Sequence, residues 1–201
     1  MTRNIRSALS FLAIALFSLA ATAQSSQPDA VQIDPAKTRI EFTLGDVLHT
    51  VHGSFRLKSG SLHFDPTNGT VDGALVVDAT SGDSGSRSRD KKMNKEVLES
   101  AKYPEIVFVP QKFSGHLNPQ GVSQVAVSGI FRIHGGEHPV TWIMPVRING
   151  NELTATTHFE IPYEQWGMKN PSTFVLRVSN KVTIDLTAVG QIKGAQVEAR
   201  K

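Results

Sequence analysis

Alternation of apolar and polar residues is the dominant pattern along this chain. Ile40, Phe42 and Leu44 are separated by polar or charged neighbours, and this period of two is typical of β-strands with one buried face. The same alternation recurs in six further segments, at residues 51–58, 71–79, 125–133, 140–148, 153–161 and 182–188. The pattern predicts seven to eight strands.

Turn-forming residues separate these segments. Clusters of Gly, Pro, Asn and Ser occur at residues 59–60, 66–69, 118–121, 135–136 and 149–151, and such clusters favour hairpin connections. Asn149-Gly150 is the strongest of these signals, because both central positions of a type I′ turn require positive φ. We therefore predict that Asn149 and Gly150 occupy the centre of a tight hairpin.

One segment departs from the period of two. Residues 86–101 carry Met93, Val97, Leu98 and Ala101 at helical spacing among lysines and glutamates, which predicts one short amphipathic helix. With hairpin-linked strands and no internal repeat, the chain is expected to be all-β, an antiparallel eight-stranded barrel of lipocalin-like shape. A β-sandwich is the alternative fold.

The first residues have the pattern of a secretory signal peptide. Arg3 and Arg6 precede an uncharged run at residues 8–20 and the small residues Ala21-Thr22-Ala23, and the run is shorter than the ~20 apolar residues of a membrane span. We predict cleavage after Ala23 and export to the periplasm; an uncleaved anchor is the alternative. Residues 24–30 are expected to form a disordered leader, residues 31–193 one domain and residues 194–201 a tail.

Charge and cysteine content exclude several classes of function. The chain has 21 basic and 18 acidic residues; without Arg3 and Arg6 the balance is 19 to 18, a net charge of +1. This balance, together with the lack of a basic stripe with interleaved aromatics, argues against nucleic-acid binding. The absence of cysteine excludes disulfides, thiol catalysis and a lipid-modified cysteine anchor.

Two local motifs resemble a catalytic site and a metal site, but neither is expected to be functional. Gly82-Asp83-Ser84-Gly85 matches the sequence around the nucleophile of trypsin-like proteases, yet too little chain precedes it and no suitable histidine lies upstream. His134 and His138 have a spacing of four, but the intervening glycines indicate a turn instead of the helix that a zinc protease needs. We predict neither a catalytic residue nor a metal site.

A basic cluster lies at the start of the helical segment. It consists of Arg87, Arg89, Lys91, Lys92 and Lys95, with Asp90 as its acid. Two interpretations remain open: a solvated helix face, or an anion-recognising rim beside the mouth of the barrel, for which arginine is well suited.

Several segments, in their order and spacing, resemble the YceI-like family of periplasmic polyisoprenoid- or lipid-binding proteins. The resemblance covers roughly residues 33–192. It rests on Ile33-Asp34-Pro35 with Ile40-Glu41-Phe42, Val51-His52-Gly53-Ser54-Phe55, Gly60-Ser61-Leu62-His63-Phe64-Asp65-Pro66, Arg89-Asp90, Lys102-Tyr103-Pro104-Glu105-Ile106-Val107-Phe108, Ile133-His134-Gly135 with Pro139-Val140, and Trp166-Gly167-Met168.

The resemblance implies an eight-stranded lipocalin-like barrel that holds an isoprenoid, an isoprenoid quinone or a fatty amide in an elongated apolar channel, without enzymatic activity. The chain departs from the family pattern at two places. It has Lys91-Lys92 where the family often has a histidine, and Val97-Leu98 where the family often has paired aromatics. Both departures lie by the expected entrance.

The expected ligand-binding residues combine the family motifs with inward-facing aromatics. They are His52, Phe55, Phe64, Arg89, Asp90, Met93, Tyr103, Phe108, Phe131, Trp142, Phe159, Trp166 and Met168. Met144 and Phe174 are further candidates for the barrel interior. The alternative is that many of these side chains simply fill a solid core, since large aromatics dominate core burial.

The predicted fold and the family resemblance are compatible with three functions. The first is a periplasmic carrier for an isoprenoid or acyl lipid. The second is a barrel enzyme acting on a lipid, which needs titratable groups such as His52, Asp90 and His134 to converge. The third is a redox-linked accessory protein in which a bound quinone does the electron chemistry. A homodimer is an open alternative to the monomer.

Overall fold

Strands account for most of the chain in the computed structural model, which describes residues 29–45, 50–65, 67–173 and 177–193. The predicted signal peptide, its cleavage site, most of the predicted leader, the tail and Phe174 lie outside the described residues. The described strands are β1 Asp29–Ile33, β2 Arg39–Gly45, β3 Thr50–Asp65, β4 Thr70–Asp83, β5 Glu105–Ser114, β6 Gly121–Ile133, β7 Gly136–Asn149, β8 Glu152–Ile161 and β9 Val182–Lys193. The helix α1 spans Arg87–Lys92 and continues as a π-helical turn, Met93–Val97.

These strands close into an antiparallel barrel. They are hydrogen-bonded in the order β3-β2-β9-β8-β7-β6-β5-β4, and β4 pairs with β3 again. Strands β1 and β2 share one position between β3 and β9: Val31 pairs with Leu62, and Phe42 pairs with Gly53. Nine strands therefore form eight barrel positions, which confirms the lipocalin-like barrel and excludes the sandwich.

The sequence analysis did not predict two of the strands, β1 and β5. Strand β1 begins at Asp29, inside the segment predicted to be a disordered leader, so that prediction is wrong for residues 29–30. Strand β5 was missed because Ile106 to Val109 form a continuous apolar run without alternation. Gly60 is not a hairpin turn; it lies within β3, just beyond a register shift between Leu57 and Ser59.

The tight turns also differ from expectation. In the β6–β7 hairpin both loop residues, His134 and Gly135, have positive φ (52° and 75°), as a type I′ turn requires. In the β7–β8 hairpin Asn149 pairs with Glu152. The loop is therefore Gly150-Asn151, and of these two only Gly150 has positive φ (58°). The prediction that Asn149 is a central residue of a type I′ turn is wrong, because Asn149 still belongs to β7.

The helix is shorter than the predicted residues 86–101. It ends at Val97, and two residues later Glu99 adopts a left-handed conformation with φ 46°. The Glu99 carbonyl then accepts hydrogen bonds from the backbone N–H groups of Lys102 and Tyr103, which forms a turn leading into β5. No helix in the described ranges is long and apolar enough to span a membrane.

The two ends of the barrel are filled differently. At the end with the β3–β4 and β7–β8 hairpins, buried residues such as Val31, Val125, Val146 and Leu153 pack into a solid core. At the opposite end the chain runs from β4 to β5 through α1, and from β8 to β9 through a long connection. This β8–β9 connection comprises residues 162–173 and 177–181 in the described chain. The space between these two connections contains the candidate site.

Candidate functional site

A cavity of about 350 Å³ occupies the helix-covered half of the barrel. This volume falls within the ~300–1,000 Å³ that is usual for small-molecule sites. Because side chains alternate across each strand, every second residue of the wall strands faces the cavity. The strand residues that line it are Ile40, Phe42, Leu44, Val51, Phe55, Leu57, Leu75, Val77, Ile106, Phe108, Phe131, Ile133, Trp142, Phe159, Ile161, Val182, Ile184 and Leu186.

The two connections supply the rest of the lining and nearly all of its polar groups. From the β4–β5 connection come Ser84, Arg89, Lys92, Met93, Val97 and Leu98, and from the β8–β9 connection come Tyr163, Met168, Pro171, Thr173 and Val178. The strand residues that line the cavity are all apolar. The cavity therefore suits a ligand with a long apolar part, whose polar end lies near α1.

An aromatic cluster forms one side of the cavity. The ring of Trp142 stacks on Phe159, with centroids 4.1 Å apart, and lies 4.9 Å from Phe108. Phe131 packs edge-on against Trp142 at 5.8 Å. Aromatic pairs of this kind contribute about 0.5–1.5 kcal/mol beyond area burial. The cluster gives the cavity a rigid wall.

The Trp142–Phe159 stack also joins two strands where their backbones do not pair. Strands β7 and β8 pair only from Val146 to Asn149 and from Glu152 to Ala155. In the unpaired part of β7, Pro139 and Pro145 have no N–H to donate to a ladder. Side-chain packing replaces backbone hydrogen bonds at this place in the barrel wall.

Ser84, Arg89 and Lys92 form a polar rim at one edge of the cavity. The Asp90 carboxylate accepts hydrogen bonds from the Ser84 hydroxyl at 2.6 Å and from the Ser84 N–H at 2.8 Å, and these bonds lower the pKa of Asp90. Arg89 donates to the Ser84 carbonyl at 2.8 Å and to its hydroxyl at 3.2 Å. Lys92 donates to the Pro171 carbonyl at 2.8 Å. The polar rim thus connects α1 to Ser84, just after β4, and to Pro171 in the β8–β9 connection.

Tyr163 anchors the β8–β9 connection under the cavity. Its side chain is 4% exposed, and its hydroxyl donates a hydrogen bond to the Ser179 carbonyl. Burial, with a smaller contribution from the Glu164 carboxylate, raises the pKa of Tyr163 from 10.0 to about 12. The phenol therefore stays protonated in the folded chain at pH values where it ionises in the unfolded chain.

This shift predicts a loss of stability in alkali. Because the folded-state pKa is the higher one, the stabilisation is complete below pH 10 and is lost as the pH rises to about 12. A shift of about two pH units corresponds to ~2.7 kcal/mol. We expect the free energy of unfolding of the wild type to fall by up to that amount relative to Tyr163→Phe over this range, measured by urea unfolding. Parallel pH profiles for the two proteins would contradict the assignment.

Eight of the thirteen expected ligand-binding residues line the cavity. They are Phe55, Arg89, Met93, Phe108, Phe131, Trp142, Phe159 and Met168. Whether each contacts a ligand stays a prediction. Trp142 faces inward, as the alternation along β7 predicts. Met144 also packs against the core, but it does not line the cavity.

Two expected residues on β3 lie elsewhere. His52 is exposed on the outer face of the barrel, where its Nδ1 lies 3.1 Å from the Thr43 hydroxyl. Its neighbours Val51 and Gly53 take the inward positions, so the alternation already excludes His52 from the interior. Phe64 packs at the solid end of the barrel, 5.6 Å from the Phe113 ring.

Three more expected residues stand behind the cavity wall. The Asp90 carboxylate is turned onto the polar rim and is not part of the lining. Tyr103 packs outside the cavity against the His134 ring at 5.0 Å. Trp166 stacks on His138 at 3.9 Å, in nearly parallel planes. These family-motif positions support the wall and do not form its surface.

The sequence prediction missed several lining residues that its own pattern contains. Phe42, Leu75 and Val77 occupy inward positions of predicted strands. Strand parity, the alternation of inward and outward side chains along a strand, therefore identifies them by itself. Tyr163 lies in the irregular β8–β9 connection, where no periodic signal marks it. Lys92 belongs to the basic cluster of the helical segment, for which an anion-recognising rim was one of two interpretations, but it was not among the expected ligand-binding residues. A search for every inward position, and not for aromatics only, recovers most of the strand lining.

The groups proposed for catalysis do not converge. His52 lies on the outer face, Asp90 binds Ser84, and the His134 Nε2 lies 3.7 Å from a Glu99 carboxylate oxygen. Ser84 is bonded to Asp90 and Arg89 instead of to a histidine. Within the described parts of the chain, no group of three or more His, Asp or Glu side chains is placed to hold a metal ion.

Comparison with known proteins gives one family and several solved structures that share this fold. The family described as YceI-like domain matches residues 31–189, and no curated protein matches the chain significantly. The barrel is similar to Burkholderia cenocepacia BcnA, with 19% identity over 78% of this chain and 98% of that one, and a TM-score of 0.64. It is equally similar to a polyisoprenoid binding domain from Saccharophagus degradans implicated in plant cell wall breakdown, with 17% identity, 81% and 98% coverage, and a TM-score of 0.64.

A Campylobacter jejuni YCEI protein also has this fold. It is 15% identical, covers 74% of this chain and 88% of its own, and has a TM-score of 0.54. At these identities the solved structures show a shared fold only. The family match spans nearly the whole described barrel.

Proposed function

This chain belongs to the YceI-like family, and from that membership we propose that it binds a long apolar ligand inside its barrel. The candidates are an isoprenoid, an isoprenoid quinone and a fatty amide or other acyl lipid. We further propose that the protein is exported to the periplasm and carries or sequesters this ligand there. The pattern of residues 1–23 supports export.

The single observation that carries the proposal is the apolar cavity. All eighteen strand residues of its wall are apolar, and aromatic rings form one side. A solid core would leave no such volume, because protein interiors are packed nearly as densely as organic crystals. The likeness to a polyisoprenoid binding domain supports the same ligand class. A binding role is favoured over catalysis, since the candidate catalytic groups are dispersed.

Extraction of the purified protein with organic solvent tests the proposal directly. Mass spectrometry of the extract should find a long-chain lipid in a stoichiometric amount. A quinone in that extract would favour the redox-linked role. If no lipid is extracted and none binds to the delipidated protein, the barrel is not a lipid carrier.

The two tryptophans allow a quantitative test, because only Trp142 lines the cavity. Titrating delipidated protein with a decyl-chain ubiquinone analogue should quench fluorescence saturably, since the quinone ring comes close to the indole. We expect Trp142→Phe to remove most of this quenching and Trp166→Phe, the matched control, to retain it. Quenching that depends on Trp166 instead would place the quinone ring outside the cavity.

A further inference from the structure

The cavity has two cationic side chains and no acidic one on its described wall. Arg89 and Lys92 lie among the lining residues, whereas no Asp or Glu does. Two acids of the helical segment lie near these cations, but neither lines the cavity. Asp90, which is attracted to Arg89, accepts hydrogen bonds from Ser84, and Glu96, which is attracted to Lys92, forms a 2.8 Å ion pair with Lys169. The positive charge at the polar rim is therefore not balanced by a carboxylate of the wall.

The helix places these two cations side by side. Arg89 and Lys92 lie three positions apart in α1, so their side chains leave the same face of the helix. Met93, the next residue, packs beside them against the core. Like charges at this spacing repel each other. An anion between the two side chains offsets this repulsion.

Both side chains retain hydrogen-bonding capacity for such an anion. Arg89 uses its Nε and one Nη on Ser84, which leaves further guanidinium N–H groups. Lys92 donates to the Pro171 carbonyl, a neutral acceptor, and an ammonium has three N–H groups. Arginine and lysine together are well suited to a carboxylate or a phosphate.

We propose that the ligand carries an anionic head group, a carboxylate or a phosphate, which Lys92 and Arg89 bind at the polar rim while the chain fills the cavity. This inference rests on the proposed function and narrows it. It favours a fatty acid or an isoprenyl phosphate over the neutral quinones, alcohols and amides of the same chain length.

Matched pairs of ligands test the head group. Delipidated protein is titrated at about pH 8, where the carboxyl is ionised, with hexadecanoate against hexadecan-1-ol and with farnesyl phosphate against farnesol. The quenching or shift of Trp142 fluorescence reports binding. We expect each anion to bind at least about tenfold more tightly than its neutral partner, as a charge-assisted hydrogen bond allows. Whether hexadecanoate or farnesyl phosphate binds more tightly then distinguishes the carboxylate of an acyl lipid from the phosphate of an isoprenyl lipid.

Substitutions on α1 then locate the interaction. Lys92→Gln should weaken binding of the anions about tenfold and leave the neutral ligands unchanged, and Lys92→Arg should restore the affinity. Lys91→Gln is the matched control, because Lys91 is exposed and absent from the cavity wall. Arg89→Gln should act in the same direction as Lys92→Gln.

The outcomes separate this inference from the function on which it rests. Equal affinity for anionic and neutral ligands in the wild type would overturn the head-group proposal and leave lipid binding intact. The same holds if Lys91→Gln weakens the anions as much as Lys92→Gln, because the general positive field then explains the preference. If none of the four ligands binds, the proposed function itself fails. Comparing ligands on the wild type decides the question even where a variant does not fold.

Discussion

Val77→Trp should abolish most lipid binding while the barrel still folds. Val77 lies in the middle of β4, paired with Leu57 and Ile106, and all three residues line the cavity. Tryptophan adds about seven non-hydrogen atoms, which displace roughly four methylenes of a bound chain at ~0.8 kcal/mol each. The expected loss of ~3 kcal/mol corresponds to an affinity about a hundredfold lower, measurable by fluorescence titration with hexadecanoate.

The adjacent valine provides a matched control. Val76 belongs to the same strand and pairs with Ser59 and Val107, but it does not line the cavity. Val76→Trp places the same indole on the outer face, so lipid affinity should be unchanged. Because the new ring of Val77→Trp enters existing space, its melting temperature should stay close to that of the wild type. Unchanged lipid binding in Val77→Trp would show that the chain does not occupy this part of the barrel.

Strand parity explains why so much of this barrel could be predicted from the sequence. In β2 and β7 the alternation alone places Phe42 and Trp142 on the inner face, and the structure has both of them on the cavity wall. Hairpin turns with glycine then define the order of the strands. These signals are local, since each depends on a few neighbouring residues.

The position of the cavity along the barrel axis could not be predicted in this way. Val125 and Phe131 are both inward residues of β6, but Val125 belongs to the solid end and Phe131 to the cavity. Which end is hollow depends on how side chains from eight strand positions meet across the interior. That information is distributed over distant parts of the sequence, and no periodic pattern contains it.

The contacts made by residues of the β4–β5 and β8–β9 connections could not be predicted from the sequence either. Arg89 was expected to bind a ligand at the rim, and no signal in the sequence indicated that two of its N–H groups are held by Ser84. Lys92, which lay within a run of surface-like lysines, reaches the carbonyl of Pro171 across the cavity rim. Contacts between segments about eighty residues apart depend on tertiary packing, so composition and spacing do not reveal them.

Phe131→Ala should cost both stability and lipid binding. The Phe131 side chain is 8% exposed, and its ring centroid lies 5.8 Å from that of Trp142, 6.3 Å from Phe159 and 5.8 Å from Trp166. It joins the aromatic side of the cavity to the β8–β9 connection. Truncation of a buried Phe costs about 3–5 kcal/mol. We expect the lower end, because the side of the ring that faces the cavity has fewer packed neighbours to lose.

Phe113→Ala separates the two effects of this truncation. Phe113 packs against Phe64 at the solid end of the barrel and is not a residue of the cavity wall, so its truncation should lower the free energy of unfolding without changing lipid affinity. Phe131→Ala should lower both, because the ring packs against Trp142 and Trp166 and is itself part of the cavity wall that a bound chain would contact. Urea unfolding of delipidated protein and titration with hexadecanoate measure the two quantities independently. If Phe131→Ala is destabilised by about 3 kcal/mol but binds hexadecanoate as the wild type does, Phe131 is a core residue only, and the ligand lies against the opposite wall formed by β2, β3 and β4.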